Sequence, residues 1–295
     1  MSHFDAYLAV DWSAANSPKT GKDSIWLALR DADRHDTVLC NPPTRAAAME
    51  QIYEMVCPLM SAGKRVLAGF DFAFGLPAGA TGVLAGQSSW QAAWALLAEM
   101  VEDAADNRSN RFEVAQALNA RVPGEGPFWG VPWQHAEKYP GLSATKPSRP
   151  ALSTARIAER WIPRAKSIWQ LTYNGAVGSQ SLLGMARLQS LRADLGGERV
   201  AIWPFETSFV DTLPKEGTLT IAEIYPSMLS VVPEGADCLD AAQVQAVVQR
   251  LAALDVEDRL LDCLAAPDGL TGDDYRAVVQ EEGWILGLGH EGWAV

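Results

Sequence analysis

Two short apolar runs, Ala6-Tyr-Leu-Ala-Val10 and Val66-Leu-Ala-Gly-Phe70, each end on an aspartate, Asp11 and Asp71. This feature constrains the fold more than any other in the chain. Five apolar residues without polar alternation read as a strand buried on both faces. Such strands lie in sheets covered by helices on both sides, so the expected class is α/β. An acid at the carboxyl end of a central strand stands where open α/β sheets place their sites. If the two strands are neighbours, their carboxylates converge. Like charges at ~4 Å repel by about 4 kcal/mol at an effective dielectric of about 20, so the pair needs a proton or a cation.

Around these runs the chain reads as a βββαβ unit. Asn16–Asp23 is turn chemistry, Ser24–Leu29 a second strand, Asp31–Asp36 a polar turn and Thr37–Cys40 a third strand. Short connections make this an antiparallel meander. Thr44 is a predicted N-cap for a helix with Met49, Ile52, Tyr53, Val56 and Leu59 on one face, stopped by Gly63. Beyond residue 72 the rhythm breaks into helices near 87–105, 110–120 and 153–166, with a Pro/Gly/Trp-rich piece between Pro123 and Pro150. Regular elements return as a helix over 181–195, strands over 200–205 and 218–225, a long helix over 241–266 and a short one after Thr271. The expected organisation is a core of 1–75 plus 181–295 and an insertion over 76–180 that covers the site. The core is expected to hold a mixed five-stranded sheet in βββαβαβα order.

The long helix adds acids. At 100° per residue Val244, Val247, Leu251, Leu254, Leu261 and Ala265 share a stripe, with Asp258 at its centre and Asp262 on its edge. Both are therefore expected on the core side, and Asp255 at the solvated rim. Glu223, on the strand Thr220-Ile-Ala-Glu-Ile-Tyr, is a further candidate, with Glu206 as its rival. Four scattered cysteines and four scattered histidines give no zinc spacing. Clustered oxygen ligands without His or Cys select Mg²⁺ or Mn²⁺.

With acids on strands one and four and on the last long helix, the chain resembles the ribonuclease H-like fold. Ala9-Val-Asp11-Trp, Gly69-Phe-Asp71-Phe-Ala-Phe-Gly-Leu-Pro77, Glu223-Ile-Tyr-Pro226, Asp258-Arg-Leu-Leu-Asp262 and Glu282-Gly-Trp-Ile285 are similar to motifs of a family of predicted nucleases, domain of unknown function 429. Residues 78–180 lie outside the likeness, and Cys263 replaces the family's usual Ala. The resemblance implies phosphodiester hydrolysis at a two-metal site, with Asp11, Asp71, Glu223 and Asp262 as catalytic ligands and Asp258 as a fifth. Two other readings stay open: an accessory ligand-binding protein linked to cofactor metabolism, and a nucleotide-dependent phosphotransferase.

Charge narrows the partners. The chain carries a net −12, yet residues 145–200 hold nine Lys/Arg against three acids. Long duplexes are disfavoured; a short or single-stranded nucleic acid or a small phosphodiester fits better. Arg156, Arg160 and Arg164, spaced by four, read as a basic stripe on one helix, either solvated or contacting phosphate. Lys19 and Lys22 lie in a hairpin that resembles the phosphate-binding hairpin of actin-like kinases, although those proteins carry the meander twice. Among eleven tryptophans, Trp129 and Trp133 are candidates for a stacking wall, against the plainer reading of core filler. Gly287-Leu-Gly-His-Glu-Gly292 matches GxGxxG but has no helix after it, so it reads as a turn. No membrane span or signal peptide is expected, and the scattered reduced thiols suit the cytoplasm.

Overall fold

Turn chemistry and apolar runs form the expected meander. In the computed structural model, which describes residues 2–33, 36–162, 165–173, 175–209, 214–233, 235–236 and 238–293, β1 (Ala6–Asp11) pairs antiparallel with β2 (Trp26–Asp31), and β2 with β3 (Thr37–Cys40). Helix α1 (Arg45–Ser61) starts on the predicted cap, with the Thr44 hydroxyl accepting from Ala47 N at 3.1 Å. It returns the chain to β4 (Val66–Phe70), parallel to β1. Then come α2 (Ala80–Ala85), α3 (Trp90–Met100), α4 (Arg111–Asn119), α5 (Ile157–Trp161) and α6 (Gly178–Leu195). Next are β5 (Val200–Ile202), β6 (Leu219–Glu223), α7 (Leu239–Val256), α8 (Leu260–Leu264) and α9 (Gly272–Ala277).

Among the described residues the mixed sheet has six strands in the order β3-β2-β1-β4-β6-β5, rather than the expected five. The strand read over 200–205 is β5, a three-residue edge strand parallel to β6.

Strand parity divides the core. One face carries Leu8, Val10, Ala68, Phe70 and Ile221 under α1, α3 and α6. The other carries Tyr7, Ala9, Leu67 and Ala222 under α7. The expected insertion does not build a core of its own, because Trp94, Leu97, Val114 and Phe128 join the first cluster. The loop after β4 shows why the chain bends there. A Cβ at Gly75 would lie 2.0 Å from the Glu281 carbonyl, so only glycine lets the two backbones touch.

The long helix over 241–266 is a correction. Its apolar stripe holds through Leu254, but α7 ends at Val256 in a Schellman turn. Arg259 N reaches the Leu254 carbonyl at 2.8 Å, Asp258 N reaches that of Asp255 at 3.1 Å, and Asp258 has φ 60°. Aspartate tolerates this left-handed position better than most side chains. Among the described residues no helix is long and apolar enough to cross a membrane.

Candidate functional site

Parallel register brings the two strand-end aspartates together. Val10 lies opposite Phe70, and Asp71 N donates to the Val10 carbonyl at 3.0 Å. The ladder therefore runs one residue further and sets Asp71 beside Asp11 on the α7 face, at the ~4.8 Å strand spacing. Both are half-buried, and no described residue donates a hydrogen bond to either carboxylate. Burial, then the charges of Glu223 and Asp240, push Asp71 up to about 7. Burial, then Asp71, Asp240 and Asp23, hold Asp11 well above the usual carboxylate range. Side by side, the pair keeps a proton near neutrality unless a cation replaces it.

Glu223 lies opposite Phe70, so it leaves the sheet on the other face. There it meets Arg156, whose Nη2 and Nη1 donate to the two Glu223 oxygens at 2.6 and 2.8 Å. Arg156 also donates to Glu159 at 3.1 Å and to the Glu282 carbonyl at 2.8 Å. Burial opposes the Arg156 charge, but the carboxylates of Glu223 and Glu159 outweigh it and hold its pKa up. Glu282 accepts from Ala78 N at 2.7 Å and Ile157 N at 2.5 Å, and Glu223 accepts from Phe74 N at 3.0 Å. The motif following β4, the end of β6 and the Glu282-Gly-Trp-Ile285 segment thus lock onto one another through buried carboxylates. Burial raises the Glu282 pKa, against the hydrogen bonds that lower it.

A cavity of about 350 Å³ opens beside Asp71, lined in part by Arg156, Glu223, Lys166, Gln180 and Ser227. Gln180 Nε2 donates to the Trp12 carbonyl at 2.5 Å, pinning the chain just after Asp11. Lys166 is exposed and supplies positive charge at the rim. The cavity carries both signs of charge, with Asp71 at the carboxyl end of β4 and Arg156 and Lys166 among its lining residues.

Several predicted residues lie elsewhere. Asp258, expected on the core face, is exposed and bonds His3 Nε2 at 2.8 Å, because the helix stripe stops before it. Asp262 is exposed on α8. Asp255, expected at the solvated rim, is instead buried. Glu206 pairs with Arg192 at 2.5 Å. Arg156 and Arg160 form no stripe, since α5 is five residues long, with Arg156 buried at its start and Arg160 exposed. Arg164 lies outside the described residues. Lys19 pairs with Asp23 at 3.7 Å; it and Lys22 are exposed, and neither lines the cavity. Trp129 is half-buried, bridged to Ser143 and Gln170, and Trp133 is 76% exposed. The GxGxxG match is a turn, with Gly287 and Gly289 at positive φ.

Sequence reasoning missed Asp240, whose Oδ2 accepts from Asp23 N at 2.6 Å. Its position in the first turn of α7 is where acids ordinarily favour the helix dipole, which hides it. Lys166 was visible only as one charge in a basic segment. The donor set at Asp11 and Asp71 is all oxygen and suits one hard divalent ion. Among the described residues no group of three or more His, Cys, Asp or Glu is arranged to hold a metal, so the two-ion ligand set is not assembled. No protein-family model, curated protein or solved structure matches the chain.

Proposed function

We propose that the protein is a metal-dependent phosphodiester hydrolase that uses one divalent ion, Mg²⁺ or Mn²⁺, held by Asp11 and Asp71. The observation that carries this reading is the pair itself: two carboxylates side by side at the ends of adjacent parallel strands, without donors from described residues, with Asp71 lining a cavity that also presents a lysine. The strand order and the antiparallel second strand support the likeness to ribonuclease H-like proteins. The ion, when bound, supplies positive charge that polarises a phosphoryl oxygen. Lys166 at the rim neutralises the other phosphate oxygens as substrate enters. Glu223, neutralised by Arg156, fixes the wall of the cavity and is no ligand in this reading. The cavity suits a small phosphodiester or the end of a single strand.

Titration calorimetry with Mn²⁺, together with hydrolysis of bis(p-nitrophenyl) phosphate, tests the reading. The native protein should bind a single ion and cleave the ester, and Asp71→Asn should lose both. Absence of Mn²⁺ binding would leave a proton-sharing carboxyl pair and end the metal-dependent assignment.

A further inference from the structure

Two aromatic side chains of the insertion stand more than half exposed. Trp133 is 76% exposed and Tyr173 is 56% exposed. Both belong to segments stitched together. The Thr172 hydroxyl donates to the Gly130 carbonyl, Leu171 N donates to the Trp129 carbonyl at 2.9 Å, and the Tyr173 hydroxyl donates to the Val131 carbonyl at 3.4 Å. Trp133 follows that carbonyl by two residues. On its other side, Tyr173 leads to Gly175 and Ala176, which line the cavity with Lys166. The Lys166 stem lies over Gly175, where an added Cβ would sit 3.5 Å from its Cγ. The Trp133 and Tyr173 segments are thus tied together, and Lys166, on the rim of the cavity, packs by Gly175.

Two further facts single out these two rings. Tyr173 holds a left-handed backbone, φ 78°, unusual for a bulky side chain. Burying Trp133 instead would remove a large apolar area from water, yet the fold leaves it out. Flat rings beside a cation match a ligand with a flat face and an adjacent anion, the chemistry of a nucleotide.

We propose that Trp133 and Tyr173 form a stacking shelf for a nucleobase whose attached phosphate enters the cavity past Lys166. This rests on the phosphodiester reading and deepens it: the substrate is a nucleotide or the end of a single strand, held by its base outside the cavity. Since the shelf lies in 78–180, it belongs to the part of the chain that the motif resemblance leaves out.

Fluorescence anisotropy tests it with two labelled probes, a thymidine pentadeoxynucleotide and an abasic pentamer of the same phosphate backbone. Measurements at low salt in EDTA keep hydrolysis silent. The native protein should prefer the base-bearing probe. Trp133→Ala should weaken its binding by about five- to 150-fold, the range for losing one stacked base. The abasic probe should bind Trp133→Ala as it binds the native protein, and Trp133→Phe should restore most of the loss. No preference in the native protein, an equal loss for both probes, or a silent Trp133→Ala would overturn the shelf. Binding in the expected pattern by a protein that takes up no Mn²⁺ would sink the metal reading and leave the shelf standing. Mn²⁺ binding and ester cleavage with a silent Trp133→Ala would do the reverse.

Discussion

The two ends of β1 carry carboxylate sites of opposite kinds under the same helix. At the amino end, Asp255 from the last turn of α7 is buried. It accepts from His3 N at 2.8 Å, Phe4 N at 2.9 Å and the Tyr7 hydroxyl at 2.5 Å. At the carboxyl end, Asp11 and Asp71 face each other and Asp240 from the first turn of α7, with no donor from a described residue. Asp255 is closed off from solvent more completely, yet it is the structural one. Burial alone does not mark a functional acid; the supply of donors does. A carboxylate given three donors has its charge spread over fixed hydrogen bonds. A pair given none must recruit a proton or an ion.

The sharpest way to break this comparison is to delete one acid at each end. Asp255→Ala leaves the half-buried His3 amide and the buried Phe4 amide without their acceptor, and leaves the Tyr7 hydroxyl only the Phe4 carbonyl at 3.3 Å. At about 1–3 kcal/mol for each unsatisfied group, partly relieved by water, the loss should be about 3–5 kcal/mol, read from urea unfolding. Asp71→Asn, measured alongside in EDTA at pH 7.5, should cost nothing or stabilise. Equal losses at both ends would mean that the Asp11 and Asp71 carboxylates are satisfied structural groups after all.

The pH dependence should differ in the same sense and by less. Asp71 and Asp11 bind their protons more tightly folded than unfolded, since burial and mutual repulsion raise both. Their protonation therefore stabilises the folded state in full below about pH 4. The Asp71 part of that contribution is lost as pH rises through about 7, by at most about 1.4 kcal/mol per pH unit for the proton released. In EDTA, thermal unfolding scans from pH 5 to 8 should show stability falling across this window, and Asp71→Asn should flatten the fall. A slope unaltered in Asp71→Asn would remove the pair from consideration as strained acids.

How much of this was legible follows from which physical rule governs each residue. β1 and β4 could be read because five apolar residues in a row admit few alternatives, and Asp11 and Asp71 came with them. Thr44 could be read because a cap is a local hydrogen bond. Asp258 and Asp255 were misplaced for one reason: helical periodicity says nothing of where the helix stops, and the Schellman turn uses Asp rather than the glycine that would have announced it. Glu223 shares the cavity with Asp71, but strand parity sends the two side chains to opposite faces of the sheet once β4 and β6 are in register. That register is a tertiary fact. Arg156 was the least legible. It reads as one of three exposed arginines, yet is 2% exposed, because the Glu223 carboxylate from β6, the Glu159 carboxylate of its own helix and the Glu282 carbonyl all accept from it.

Asp262 provides the finest discrimination. If the last helix supplied a metal ligand, as the motif resemblance implies, Asp262→Asn would remove a ligand and lower ion affinity. In the fold, Asp262 is exposed on α8, and the acid from the helical layer that acts electrostatically on Asp71 is Asp240. A ligand at 100 times its dissociation constant stabilises the folded state by about 2.7 kcal/mol, so Mn²⁺ at that excess should raise native stability by this amount. Asp262→Asn should keep the whole gain to within about 0.5 kcal/mol, as expected for a surface substitution. Asp240→Asn should alter it, because removing a neighbouring negative charge weakens the field that draws the cation. Loss of the Mn²⁺ gain in Asp262→Asn, with Asp240→Asn unchanged, would require α8 to swing its acid onto the sheet edge and would restore the ligand set implied by the resemblance.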